Sequence, residues 1–282
     1  MSRIRSSTTQ QAAKSENELE LWTTRGAGGD AGALAFRVDA PSQYNNIWWE
    51  ISDGAIVPVT SGAAINYTPT TPGARCVLKG VPISQITRLD GFSQNMVGDL
   101  TNFQIQTMRR MTSLHLYANQ FTGDLSGWSI PASMTSLYLS ANQFTGDLSG
   151  WSIPASMTYL YLYANQFTIS TTFAGMGAGM RDFRIQDNGM IAAHVDNVLW
   201  SIWNARAGFT YATPTLNVGG SNQPPTGNVV APPGGGASNS DWNWNGATYE
   251  PLTGGAVIWD LAKDVNSEGF KKWAITYNGG SL

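Results

Sequence analysis

Two spacings of apolar residues divide this chain. From Leu19 to Val81, short apolar runs alternate with polar positions and stop at turn residues such as Gly-Gly-Asp, Asp-Gly, Ser-Gly and Thr-Pro-Gly. Such runs predict strands over 19–22, 34–38, 47–51, 55–59, 64–67 and 75–81. Short strands this close together suggest a small β-sandwich over 17–85. From residue 86 the spacing lengthens. Residues 111–133 read MTSLHLYANQFTGDLSGWSIPAS and residues 134–156 read MTSLYLSANQFTGDLSGWSIPAS, differing only at His115/Tyr138 and Tyr117/Ser140. A third copy begins at Met157 as MTYLYLYANQFT, and a weaker one places Met180, Phe183, Ile185, Asn188 and Met190 in the same 23-residue register. An imperfect earlier copy, Ile86 to Ile105, carries Gln94 where the others carry Asn. A fixed period in the twenties predicts a solenoid over 86–190.

The residue types within one repeat suit one coil. Side chains alternate faces along a strand, so Leu114 and Leu116 are expected to point inward and their neighbours outward. The sharp turn that follows strands backbone donors and acceptors inside. A side-chain amide can satisfy both kinds, so Asn119, Asn142, Asn165 and Asn188 are expected to stack as a ladder. Gly123-Asp124 and Gly146-Asp147 supply turn chemistry. Leu125, Trp128 and Ile130 then return along the convex side. One coil buries about seven large apolar side chains at roughly 1.5–3 kcal/mol each. Ordering its backbone costs roughly 1–2 kcal/mol per residue. A single coil therefore cannot stand alone, and stacked neighbours and end caps are required.

The phased positions L-x-x-L-x-L-x-x-N-x-F-x-G-x-L resemble the leucine-rich repeat family in its bacterial and plant-like variety. The likeness covers roughly a third of the chain and implies a parallel sheet on a concave face. The segments WWEISDGA and INYTPTTPGARCVLKG more loosely resemble the PKD and immunoglobulin-like modules that precede repeats in bacterial and phage surface proteins. Beyond the repeats, residues 191–282 read as an α/β cap. Ala193, Val195, Val198, Leu199 and Ile202 have helical spacing with Gly208 as a stop. A strand follows at Leu216 and Val218, then a Gly/Pro-rich loop over 226–248, a helix over 255–265 and a last strand over 273–277. This end resembles those of many bacterial and phage leucine-rich repeat proteins. The expected fold is thus mainly β with some α: a flexible arm (1–16), a sandwich, a short solenoid and a cap.

Composition narrows the functional classes. Only 12% of residues are charged, about half the usual share, so neutral polar groups must dress the surface. The net charge of −3 gives no electrostatic case for nucleic acid, and no apolar run approaches a membrane span. Cys76 is the single cysteine, which rules out an intrachain disulfide and suits a buried strand position. The leading residues MSRIRSSTTQQAAKSENELE lack the apolar stretch of a Sec signal. A neutral-polar surface without that address suits a phage particle assembled in the cytoplasm and released by lysis. Another export route, or a signal upstream, remains the alternative.

Chemistry-bearing motifs are sparse. His115 and His194 are the only histidines and have no metal-ligand spacing with other residues, so neither metal nor cofactor is expected. Nucleophile elbow, P-loop and dinucleotide fingerprint are all missing from the sequence. The recurring Asp124 and Asp147 suit turns better than paired catalysis, and a calcium role for them stays open. The outward positions tell more. His115, Tyr117, Tyr138, Tyr159, Tyr161, Tyr163 and Arg184 are expected on the concave face. Tyrosine there offers an apolar ring and a hydroxyl to a sugar or a protein. Equally, it is a good strand former that pairs with its neighbours. The expected role is non-enzymatic: a virion-surface protein of a tailed phage whose N-terminal part attaches to other virion proteins and whose concave face meets a host-surface glycan or protein. A capsid-decorating or self-assembling oligomer and a bacterial surface adhesin are the alternatives.

Overall fold

The computed structural model describes residues 19–23, 33–70, 73–211, 213–228, 231–233, 238–244, 248–263, 272–278 and 280–281. The expected arm, 1–16, and parts of the 226–248 loop lie outside them. The chain is mainly β with few helices, and its centre is a β-solenoid of about four turns.

The N-terminal part supplies β1 (Leu19–Thr23), β2 (Arg37–Asp39), β3 (Ile47–Ile51), β4 (Ile56–Val59) and β5 (Arg75–Lys79). Each turn of the solenoid then joins a three-residue strand, whose middle leucine points inward, to a second strand beyond the turn. These are β6 (Arg88–Asp90) and β7 (Met96–Asp99), β8 (Ser113–His115) and β9 (Gln120–Asp124), β10 (Ser136–Tyr138) and β11 (Gln143–Asp147), and β12 (Tyr159–Tyr161) and β13 (Gln166–Thr168). A further strand, β14 (Asp182–Arg184), is followed by α1 (Ala192–Ala205). Then come β15 (Thr215–Asn217), β16 (Trp242–Trp244), β17 (Tyr249–Pro251), α2 (Gly254–Lys263), β18 (Ala274–Tyr277) and β19 (Gly280–Ser281).

Two large sheets result. One runs β13-β11-β9-β7-β1-β5-β3-β4 and the other β19-β18-β15-β14-β12-β10-β8-β6-β2. Pairing is parallel from β6 through β18 in the second sheet and from β7 to β13 in the first. At the N-terminal end it turns antiparallel, with β1 on β7 and β2 on β6. The strands expected to form a separate sandwich are thus distributed over both solenoid sheets, and one apolar core continues from Leu19 to Ile275. The reason lies in the solenoid's end: without β1 and β2 its first coil would present open strand edges and an uncovered apolar layer. Gln94 completes the joint. Its amide accepts from Ala35 N at 2.8 Å and donates to Phe92 O at 2.7 Å, so the position that breaks the Asn pattern binds the preceding segment instead.

Three expected elements differ. The strand over 34–38 falls at 37–39, while 64–67 contributes only isolated bridges, Leu34 to Tyr67 and Arg37 to Ala64. The loop 226–248 contains a strand, β16, paired with β17. Asn239 Oδ1 holds the N–H groups of Asp241 and Trp242, both at 2.8 Å, and Trp242 is fully buried. Side-chain capping and one indole thus organise a stretch whose composition reads as loop.

Inside the solenoid, like residues stack on like. Phe121, Phe144 and Phe167 lie 6.2 and 6.3 Å apart between successive coils, and Trp128 lies 6.4 Å from Trp151. Each indole N–H reaches back one coil, Trp128 to Leu100 O and Trp151 to Leu125 O. Cys76 is buried in β5, and burial together with the Asp53 charge pushes its thiol up to about 12. Trp49 sits in the core against Phe36, whereas Trp48 is half-buried on the sheet face. No helix among the described residues is long and apolar enough to cross a membrane.

Candidate functional site

The Asn ladder sets the shape of every coil and so places the outward face. Ala118, Ala141, Ala164 and Asp187 adopt left-handed backbone, with φ between 53° and 59°, and swing the next residue inward. Asn142 Nδ2 then donates to Leu139 O of its own coil (3.1 Å) and Leu116 O of the preceding one (3.0 Å), while its Oδ1 accepts from Phe121 N (3.1 Å). Asn165 repeats this on Leu162, Leu139 and Phe144, and Asn188 on Ile185, Leu162 and Phe167. Asn119 begins the series, taking Met96 N at 2.9 Å. A fifth member lies in the cap. Asn222 accepts from Met190 N and Asn188 N, both at 3.0 Å, and donates to Ile185 O. The T-L-N-V-G-G-S-N stretch carries the same strand-then-Asn spacing, hidden by the 34-residue step from Asn188.

The parallel register aligns the outward residues in columns. One column reads Arg37, Asp90, His115, Tyr138, Tyr161, Arg184, Asn217 and Thr276. Its rings stack: His115 on Tyr138 at 4.2 Å and 11°, and Tyr138 on Tyr161 at 4.4 Å and 10°. Arg184 caps the stack with its guanidinium 4.9 Å from the Tyr161 ring centroid. Neighbouring columns hold Tyr117, stacked on Phe92 at 4.7 Å, and Tyr159 and Tyr163, which stand at 70° and 52° to Tyr161. His115 occupies its outward register position, but only 9% of it is exposed. Its Nδ1 lies 2.8 Å from Asp90 Oδ1, and its Nε2 is buried without a hydrogen-bond partner among the described residues.

Charged groups frame the rings. Arg88 Nε donates to Asp90 at 2.8 Å, Arg37 grips Asp39 with two bonds of 3.0 Å, and Arg184 Nε donates to Asp182 at 2.9 Å. Each pair is spaced two residues apart on one strand, where side chains share a face. Asp182 also accepts from Tyr161 Oη at 2.7 Å and Thr215 Oγ1 at 2.5 Å. Burial pushes the Asp90 carboxyl up, but hydrogen bonds from His115 and Arg88 outweigh it and hold the group below the ordinary carboxylate range. The same contest at Asp182 ends the same way, through Arg184, Thr215 and Tyr161. Burial, together with the bond to Asp182, raises the Tyr161 hydroxyl, and burial raises those of Tyr138 and Tyr117. These phenols stay protonated and polar without charge.

His115, Tyr138, Tyr159, Tyr161 and Arg184 thus lie on strands of the nine-stranded sheet, with Tyr117 and Tyr163 beside them just past β8 and β12. Two of the outward positions are closed off, because His115 is buried and Ser140 is 2% exposed. The sequence reading missed the R-x-D and D-x-R pairs, although alternation around Val38, Leu89 and Phe183 already put each pair on one face. His194 lies on α1 as expected, with a buried Nδ1 that has no hydrogen-bond partner among the described residues. Asp124 and Asp147 serve turns: each accepts the N–H two residues on, Ser126 at 2.9 Å and Ser149 at 3.0 Å. No protein-family model, curated protein or solved structure matches this chain.

Proposed function

We propose that this protein is a non-enzymatic recognition protein of the virion surface of a tailed phage, built on a solenoid of the leucine-rich repeat type. The observation that carries the reading is the row of Tyr159 and Tyr161 on β12 and Tyr163 just past its end, flanked by Tyr138 and Tyr117, on one rigid face. The two near-identical coils keep every residue of the scaffold and differ only at two outward positions of that face. The inward Leu pairs and the Asn ladder support the repeat assignment. The antiparallel strands and the Phe36–Trp49 contact support an immunoglobulin-like origin for the N-terminal cap. In this reading that end attaches to other virion proteins, and the tyrosine face meets a host-surface glycan or protein.

A triple change of Tyr138, Tyr161 and Tyr163 to Ala should weaken attachment to host cells while leaving the secondary structure intact. Unchanged attachment by the folded variant would remove the recognition role. Mass spectrometry of purified virions lacking the chain would remove the virion assignment. A second reading, capsid decoration or self-assembly with the solenoid as a spacer, is favoured by the ring stacking itself. Rings that cover one another at 4.2 and 4.4 Å stiffen the sheet and leave mainly their edges for a ligand. A stable oligomer by light scattering, together with wild-type attachment by the triple variant, would decide for it.

A further inference from the structure

The charge pattern of the tyrosine face restricts what it can hold. Three arginines and three aspartates stand at its outward strand positions, and each arginine is bonded to an aspartate two residues away: Arg37 to Asp39, Arg88 to Asp90 and Arg184 to Asp182. An anionic ligand would have to pull Arg184 from a carboxylate that also anchors Tyr161 Oη and Thr215 Oγ1. A cationic ligand would face carboxylates already occupied by guanidinium groups. Between these pairs, apart from the buried His115 that meets Asp90, the described residues are uncharged: the half-buried Tyr159, Tyr161, Tyr163 and Tyr138, with Ser113 and Ser136 beside them. Tyr159 and Tyr163 are turned steeply against Tyr161, so they do not pack face to face with it.

Resting on the recognition role given above, we propose that this face binds an uncharged glycan chain, laid over Tyr159, Tyr161 and Tyr163. Sugar rings carry an apolar C–H face and a rim of hydroxyls, which matches phenol rings edged by Tyr and Ser hydroxyls. A protein partner fits less well. It would bury the part-exposed guanidinium groups of these pairs further, and desolvating them is costly, whereas a hydroxylated chain leaves them hydrated.

The test presents the full chain to a printed array of uncharged oligosaccharides and of uronate- and sialate-bearing ones. Binding is expected to uncharged members alone, with affinity changing less than about twofold between roughly 0.05 and 0.5 M salt. The double change Tyr159→Ala/Tyr163→Ala, outside the stacked column, should cost about tenfold in affinity while the variant still unfolds cooperatively above the assay temperature. Asp182→Asn frees Arg184 and should add salt-sensitive binding of acidic members; no such gain would overturn the neutralising role of Asp182. Wild-type binding to acidic members overturns the uncharged-ligand proposal and leaves the face as a recognition surface. Binding to no member also overturns it. The recognition role then survives if the double variant attaches more weakly to whole host cells, and falls with the proposal if attachment is unchanged.

Discussion

Replacing Asn165 by Ala tests the ladder where it is most enclosed among the repeated coils. Asn165 is 7% exposed. Its Oδ1 accepts from Phe144 N at 3.0 Å, and its Nδ2 donates to Leu139 O at 3.0 Å and Leu162 O at 3.2 Å. The two carbonyls are not orphaned by the change, because Asn142 also donates to Leu139 O and Asn188 to Leu162 O. The Phe144 N–H, however, loses the acceptor given to it here and is sealed inside. An unsatisfied buried donor costs about 1–3 kcal/mol, and each shared bond adds roughly 0.5–1.5 kcal/mol. The expected loss is therefore about 2–6 kcal/mol, read by urea unfolding followed by tryptophan fluorescence and circular dichroism. Gln143→Ala, at an exposed neighbouring position, should cost less than about 0.5 kcal/mol. Asn165→Asp adds a sign test. A carboxylate keeps the acceptor for Phe144 but turns charge toward two carbonyls, so its folded pKa must rise. Its deficit relative to wild type should be greatest at neutral pH and shrink as pH falls through that raised value, when the protonated acid can donate again. A loss under about 0.5 kcal/mol for Asn165→Ala, or a pH-independent deficit for Asn165→Asp, would refute the satisfaction argument.

Deletion of residues 134–156 should leave a folded, cooperative protein one coil shorter, because successive coils meet through the same bonds. Thr135 N reaches Thr112 O and Thr158 N reaches Thr135 O, both at 2.8 Å; aggregation or an unfolded spectrum would contradict it. Gly146→Ala should destabilise by about 1–3 kcal/mol, since φ is +120° there and a Cβ would sit 2.5 Å from Asp124 Oδ1 and 2.9 Å from Ser126 N; a melting temperature equal to wild type would show that the turn can yield. At Asp147, burial pushes the carboxyl up, but hydrogen bonds from Ser149 and Ser170 overcome it and take the group from the ordinary 3.8 to about 2. The unfolded chain then takes up this proton first, so the contribution is complete above about pH 5 and is lost as pH falls from about 4 toward 2. Asp147→Asn should flatten the acid limb of the stability curve measured by urea unfolding, and an unchanged limb would assign acid sensitivity elsewhere.

Much of this architecture is legible in the sequence because its cause is local and repeated. Period-two alternation around Leu114/Leu116 and its copies, the Asn that recurs from Asn119 to Asn188 and the Gly-Asp turn act within a single coil. Copying the coil copies the geometry. The first helix and the closing strand were readable for the same reason, helical spacing from Val195 to Ile202 and alternation from Trp273 to Tyr277. Non-local pairing is where the reading stops. The sequence of 17–85 shows strands but not that β1 and β2 would join two different solenoid sheets, because partner choice depends on which edges the first coil leaves open. Composition likewise marks 226–248 as loop, while a buried indole and capping by Asn239 make part of it a strand.

The face divides in the same way. Alternation alone determined that His115, Tyr117, Tyr138, Tyr159, Tyr161, Tyr163 and Arg184 point outward. Only the tertiary structure decided which of them remain available. Zero-stagger parallel register places like positions of successive coils in one column, so His115, Tyr138 and Tyr161 spend their ring faces on one another, and His115 disappears between Asp90 and Tyr138. The register also brings Thr215 and Tyr161 onto Asp182, the carboxylate that Arg184 meets along its own strand and neutralises. A one-dimensional pattern fixes the side of the sheet on which a residue lies; the three-dimensional stacking of coils fixes its neighbours, and with them its exposure and charge.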